Sequence, residues 1–141
     1  MVASEVGYPE AALEYFVHAC AVDLADVHAN TADGIHIASC GGTWLALVAG
    51  FGGLRDFDGE VRFAPRLPAE WSGLRFQIEV RGQRIEVDMT TAETTYRLLD
   101  GTGILIEHFG EELRLRPGRP VSRPAEAGPT GADVLDLPRA A

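Results

Sequence analysis

The sequence predicts an α+β protein in which an N-terminal helical pair precedes an antiparallel β-sheet module. In the first third of the chain, apolar residues recur at three- and four-residue spacing, which is typical of amphipathic helices. After Arg55 they alternate with charged residues, the pattern of half-buried strands. From Pro117 onward Pro, Gly, Ala and Ser dominate, which favours a disordered tail. The predicted divisions are therefore residues 1–55, 56–118 and 119–141.

Two helices are predicted in the first division. The first covers residues 9–28, since Pro9 suits the first position of a helix and apolar residues follow at helical spacing: Ala12, Leu13, Phe16, Val17, Cys20 and Leu24. Residues 29–34 are a cluster of turn formers that ends it. The second helix is predicted over residues 41–50. It is apolar nearly all round, which indicates burial on more than one side.

The strand predictions centre on a β-hairpin. Residues 74–80 and 84–89 each alternate apolar and charged side chains, and the intervening residues 81–83 favour a tight turn. Gly50, Gly52 and Gly53 predict a tight junction between helix and sheet, where one backbone segment approaches another. The remaining strands are predicted over residues 60–63, 94–99, 103–108 and 111–116. Phe63 and Trp71 are predicted to lie in the core of the sheet module.

The composition excludes several classes of function. A formal net charge of -9 disfavours a nucleic-acid partner. With 46% hydrophobic and 23% charged residues, the chain is too polar for a membrane span. Cys20 and Cys40 form no dense cysteine framework, and residues 1–6 lack the features of a secretion signal. A reduced, cytoplasmic setting is therefore expected.

The most informative stretch for chemistry is residues 33–44, where a glycine-containing turn presents His36 immediately before an apolar helix. The start of a helix offers backbone N–H groups and a partial positive charge, which together favour an anion. Ser39 and the N–H groups near Gly41 and Gly42 are further candidate donors. The alternative is a buried histidine that is hydrogen-bonded to a loop carbonyl.

Two other clusters have ordinary explanations. Asp23, Asp26, His28 and Asp33 could bind a metal or exchange protons, but a capped helix end with a solvated face is the favoured explanation. No recognised metal-ligand spacing is present, so no metal site is predicted. Cys40 lies four residues after His36, which allows a cysteine nucleophile, although packing is the more common role of such a residue.

Together with residues 50–55, residues 63–68 and Trp71, the stretch 33–44 resembles the C-terminal part of glycoside hydrolase family 65. The resemblance extends over residues 5–117. This family comprises α-glucosyl disaccharide phosphorylases and related hydrolases. The resemblance implies that the two helices close an (α/α)6 barrel and that the strands form a two-layered β-sandwich.

The resemblance also implies a function. In the phosphorylases, the histidine that corresponds to His36 helps to hold inorganic phosphate, the co-substrate, while it attacks the anomeric carbon. The chain would then serve glycosyl transfer from an α-linked glucose disaccharide to phosphate, or its hydrolysis, with no organic cofactor. The family's general-acid Glu lies upstream and has no counterpart here. The resemblance therefore implies no catalytic residue in this chain and no activity in isolation.

A different class of function stays open at this point. The chain could be a non-catalytic module that binds glycans or packs on a partner barrel chain, and it could form a homodimer. The sequence leaves undecided which disaccharide is used and whether phosphate or water is the nucleophile.

Overall fold

A computed structural model describes residues 2–25, 32 and 34–125 of the chain. They divide into a helical unit that ends at Gly50 and a sheet unit that begins at Phe51. The helical unit contains α1 (Val2–Glu5), α2 (Pro9–Leu24) and α3 (Ile37–Leu45), followed by a π-helical turn over Ala46–Phe51. The sheet unit contains β1 (Arg55–Phe57), β2 (Glu60–Phe63), β3 (Gly73–Val80), β4 (Gln83–Thr90), β5 (Glu93–Asp100), β6 (Ile104–His108), β7 (Glu111–Leu115) and β8 (Val121–Pro124).

The first long helix, α2, begins at Pro9 as predicted and ends at Leu24. The predicted continuation to residue 28 falls largely outside the described residues. The Ser39 hydroxyl donates to the carbonyl of Ala19 at 3.4 Å, which links the first turn of α3 to α2. Much of the apolar surface nevertheless stays exposed in the described structure, because each helix covers only one side of the other: the exposed side chains include Val17, Leu24, Ile37, Trp44 and Leu45.

The second long helix, α3, starts four residues earlier than predicted. It begins at Ile37, with His36 as an N-cap residue in extended conformation (φ -80°, ψ 90°). Gly41 and Gly42 lie in its interior, where each glycine costs about 1 kcal/mol relative to alanine. The prediction placed this pair at the helix start, four residues beyond the observed one.

The sheet unit is a sandwich of two four-stranded sheets, in the orders β1-β2-β6-β7 and β3-β4-β5-β8. The predicted α+β class is confirmed. Strands β2 and β6 pair in parallel, the one departure from antiparallel pairing among the named strands. Strand β8 pairs with β5, so the described sheet unit extends beyond the predicted boundary at residue 118. Residues 126–141 of the predicted tail lie outside the described part.

The central hairpin forms as the sequence predicts. Strands β3 and β4 pair from Gly73 opposite Thr90 to Val80 opposite Gln83. Arg81 and Gly82 connect them at φ 53° and 69°, as in the type I′ turns that match the twist of a hairpin. Alternate residues then face one side of the sheet, and on β4 the buried ones are Ile85, Val87 and Met89.

One buried polar pair joins the two sheets across their interface. The Tyr96 hydroxyl on β5 lies 2.7 Å from Nδ1 of His108 on β6, and the Phe63 ring on β2 packs 5.2 Å from the Tyr96 ring. All three side chains are buried, which confirms Phe63 as core. Burial raises the pKa of the Tyr96 phenol far above its usual range, so the hydroxyl stays protonated. Trp71 is half-buried, with its ring 4.9 Å from that of Phe51.

The predicted close approach of two backbone segments occurs at Gly53. Its φ is +64°, and the Ala64 amide donates to its carbonyl at 3.2 Å. A Cβ atom on Gly53 would lie 2.2 Å from the Ala64 carbonyl oxygen. Only glycine satisfies both the backbone conformation and the contact.

Removing the Tyr96 hydroxyl should destabilise the sandwich. In Tyr96→Phe, the buried His108 nitrogen loses its partner, and we expect the free energy of unfolding to fall by about 1–3 kcal/mol. Urea titration followed by circular dichroism measures the change. Tyr15→Phe, at an exposed tyrosine on α2, is the matched control and should change stability by less than about 0.5 kcal/mol. Equal losses in the two variants would contradict this role of the pair.

The junction at Gly53 gives a second prediction. Gly82 has a similar φ of +69°, but nothing lies within 4 Å of the place where its Cβ would be. Gly82→Ala should therefore show the backbone strain alone, about 1–2 kcal/mol. Gly53→Ala should lose clearly more, because a Cβ collides with the Ala64 backbone. Thermal unfolding of both variants separates strain from collision, and indistinguishable melting temperatures would rule the collision out.

Candidate functional site

His36 lies where the chain enters α3. Its carbonyl oxygen accepts the amides of Ser39 at 2.9 Å and Cys40 at 3.1 Å, which closes the first helical turn. The ring makes no capping hydrogen bond to that turn and is half-buried, between the exposed Ile35 and Ile37. The structure thus places an imidazole at the N-terminal end of a nine-residue helix, where the helix dipole favours negative charge.

The other predicted donors are arranged differently. The Ser39 hydroxyl is directed to the Ala19 carbonyl on α2. Gly41 and Gly42 are interior residues of α3, where backbone N–H groups bond to the preceding turn of the helix. Nothing lies within 4 Å of a Cβ built on either glycine, so both leave open surface on the helix.

The prediction missed two amides. Because the first intrahelical bonds are made by the amides of Ser39 and Cys40, those of Ile37 and Ala38 lie at the N-terminal end, where helices leave N–H groups without intrahelical acceptors. The signal was the Asp33-Gly34 turn followed by Ile35 and His36, which already marks a helix start at Ile37.

Carboxylates with shifted pKa values lie in the sheet unit. The Arg75 guanidinium, 2.8 Å from Asp88, holds the pKa of that carboxyl below its usual value. Arg123 lowers the pKa of Glu111 in the same way. A general acid for glycoside cleavage needs a raised pKa. The pKa values of Asp88 and Glu111 are lowered instead, so both carboxylates stay ionised and form ion pairs with arginine at the surface.

The remaining sequence candidates are the acidic cluster before α3 and the two cysteines. Asp26, His28 and Asp33 lie outside the described residues, as does the side chain of Asp23. Within the described part, no group of three His, Cys, Asp or Glu side chains could hold a metal ion. Cys20 is a half-buried cysteine of α2, and Cys40 is an exposed cysteine of α3. No helix among the described residues is long and apolar enough to cross a membrane.

Comparison with known families separates the two units. The model of the glycosyl hydrolase family 65 central catalytic domain matches residues 1–45, and that of the family's C-terminal domain matches residues 54–115. An uncharacterized glycosyl hydrolase of Mycobacterium leprae is 47% identical over 122 residues, which cover 85% of this chain. An alpha,alpha-trehalose phosphorylase of Thermoanaerobacter brockii is 42% identical over 118 residues, or 84% of this chain. The chain spans 15% of the length of each relative.

Among solved structures, a putative kojibiose phosphorylase from human microbiome superposes with a TM-score of 0.80 at 24% identity. The match covers 88% of this chain and 17% of the other, and it supports the fold. Both domain models and the curated relatives point to the same family. The chain therefore belongs to glycosyl hydrolase family 65, with residues of its central catalytic domain followed by its C-terminal domain.

Proposed function

We propose that this chain is the C-terminal portion of an inverting enzyme that phosphorolyses or hydrolyses an α-linked glucose disaccharide. Relatives in the family are named as trehalose, kojibiose and maltose phosphorylases. The observation that carries the proposal is the joint match to the catalytic and C-terminal domains in a chain that spans 15% of those relatives. We place the boundary between the two parts at residue 55, as the sequence predicts.

In this proposal His36 helps to hold inorganic phosphate at the N-terminal end of α3. An imidazole donates a hydrogen bond in either protonation state, and the first amides of the helix add donors and a partial positive charge. Donors that are fixed before the reaction stabilise an attacking anion without reorganisation. Ser39 is a weaker companion, because its hydroxyl faces Ala19. The open surface at Gly41 and Gly42 gives a ligand close access to the helix backbone.

This arrangement supplies an anion site and no proton donor for the leaving oxygen. An inverting mechanism needs both, and the resemblance to the phosphorylases places the general-acid Glu upstream of the matched region. The chain alone should therefore release no glucose 1-phosphate from trehalose, kojibiose or maltose in the presence of phosphate. Release above the no-protein control would contradict the proposal. A chain with two cysteines and no dense cysteine framework favours a reducing, cytoplasmic compartment.

A second candidate is a non-catalytic module that packs on a partner barrel chain. The exposed apolar side chains of α2 and α3, including Leu24, Ile37 and Trp44, favour it, because such a surface is typical of an interface. Co-purification with a chain that carries the rest of the catalytic domain would support this candidate. A monomer that melts cooperatively would count against it, and a homodimer would show instead in sedimentation.

The role of His36 can be measured in a chimera. Residues 1–125 would replace the matching C-terminal region of the Thermoanaerobacter brockii trehalose phosphorylase, which is 42% identical. We expect His36→Ala to lower kcat/KM for phosphate by about a hundredfold, the loss of one preorganised anion donor. Initial rates of glucose 1-phosphate formation at varied phosphate concentration give the value.

The matched control is His18→Ala, which removes an exposed histidine of α2 and should leave kcat/KM unchanged. A His36→Ala chimera with the phosphate dependence of its parent would exclude His36 from the phosphate site.

A further inference from the structure

The sheet unit contains a groove that the proposed function does not use. The groove has a volume of about 320 Å³ and lies between the loop that joins β2 to β3 and the turn that joins β4 to β5. Its walls include Pro65, Leu67, Pro68, Met89, Thr91 and Thr94. This volume is at the lower end of the range for small-molecule sites, about 300–1,000 Å³.

Thr94 is the residue that marks this groove as a binding site. Its side chain is on the inner face of β5, opposite Met89 of β4, and the residue is only 3% exposed. Among the described residues, its hydroxyl has no hydrogen-bond partner. Neighbouring threonines differ: the Thr90 hydroxyl is bonded within the β4–β5 turn, and the Thr95 hydroxyl lies 2.7 Å from that of Ser122. The Thr94 oxygen is not among the fully buried side-chain atoms that lack a partner, so it stays accessible from the groove. A groove ligand with a polar atom would take the place of solvent at this hydroxyl.

The lining selects a neutral ligand, because none of the groove residues is charged. Arg66 lies between Pro65 and Leu67 in sequence, but its guanidinium sits over the Phe109 ring, 5.4 Å from the centroid. Arg123 is paired with Glu111. Apolar walls of proline, leucine and methionine beside the Thr94 hydroxyl suit a molecule with C–H faces and hydroxyl edges.

From these observations we infer that the groove of the C-terminal domain binds a neutral saccharide, at a site lined only by residues of the sheet unit. The choice of a saccharide among neutral hydroxylated ligands rests on the proposed function, whereas the groove, its neutrality and the Thr94 hydroxyl do not. The site would hold a sugar without reacting with it, since it contains no titratable group.

The test is a titration of the ¹⁵N-labelled full chain with glucose, maltose and glucose 1-phosphate, followed by amide chemical shifts. We expect saturable shifts at Leu67, Thr91 and Thr94 with glucose and maltose, and weaker ones with the charged glucose 1-phosphate. No saturable shift with either neutral sugar would overturn the inference. So would tighter binding of glucose 1-phosphate than of glucose, or shifts of the same amides with benzyl alcohol but not with sugars.

Two variants assign the effect to the groove. Thr94→Val keeps the shape of the side chain, removes the hydroxyl and should weaken saccharide binding about tenfold. Ala69→Phe, at an exposed groove position, should obstruct the groove and abolish the shifts. Thr95→Val is the matched control on the opposite face of β5 and should bind as the parent does. Unchanged binding by both Thr94→Val and Ala69→Phe would overturn the inference, and a failure of the His36 chimera would leave this result unaffected.

Discussion

Burial of apolar surface is the constraint on which this structure depends, and its two units meet it differently. In the sheet unit the inner faces of both sheets cover each other, so Ile85, Val87 and Leu115 are fully buried. The same interface holds the polar pair of Tyr96 and His108, whose geometry fixes how β5 lies against β6. Within the described residues, the sheet unit therefore buries its apolar faces against each other, without a further partner.

The helical unit does not meet that constraint within the described residues. Helix α3 has no buried residue, although its sequence is apolar on nearly every side. Most of the stability of such a helix comes from packing of its apolar face. Residues 1–45 match a catalytic domain, and the chain spans 15% of the length of its relatives. In the proposed function, the remainder of that domain would supply both the cover for these helices and the general acid.

Predictability from the sequence follows the same division. Strands β3 and β4 and their hairpin are predicted well because period-two alternation over eight residues is a strong local signal. Strands β1 and β8 are missed because they are short, and because β8 forms only by pairing with β5 in a proline-rich segment. The predicted burial of α3 on more than one side is not seen among the described residues, where the helix has no buried residue. The place of His36 at a helix start was predictable. The prediction began the helix at Gly41 and so missed the amides of Ile37 and Ala38, although the Asp33-Gly34 turn indicates the earlier start.

The distribution of charge constrains any anion chemistry in the helical unit. No arginine precedes Arg55, and the chain has no lysine. In the sheet unit Arg75, Arg97 and Arg123 are each paired with carboxylates. A phosphate at the mouth of α3 would therefore be held by an imidazole and helix amides, donors whose strength depends on orientation and on the exclusion of water. On an exposed helix end such donors compete poorly with solvent, so in the proposed function the rest of the catalytic domain would supply the walls that exclude water.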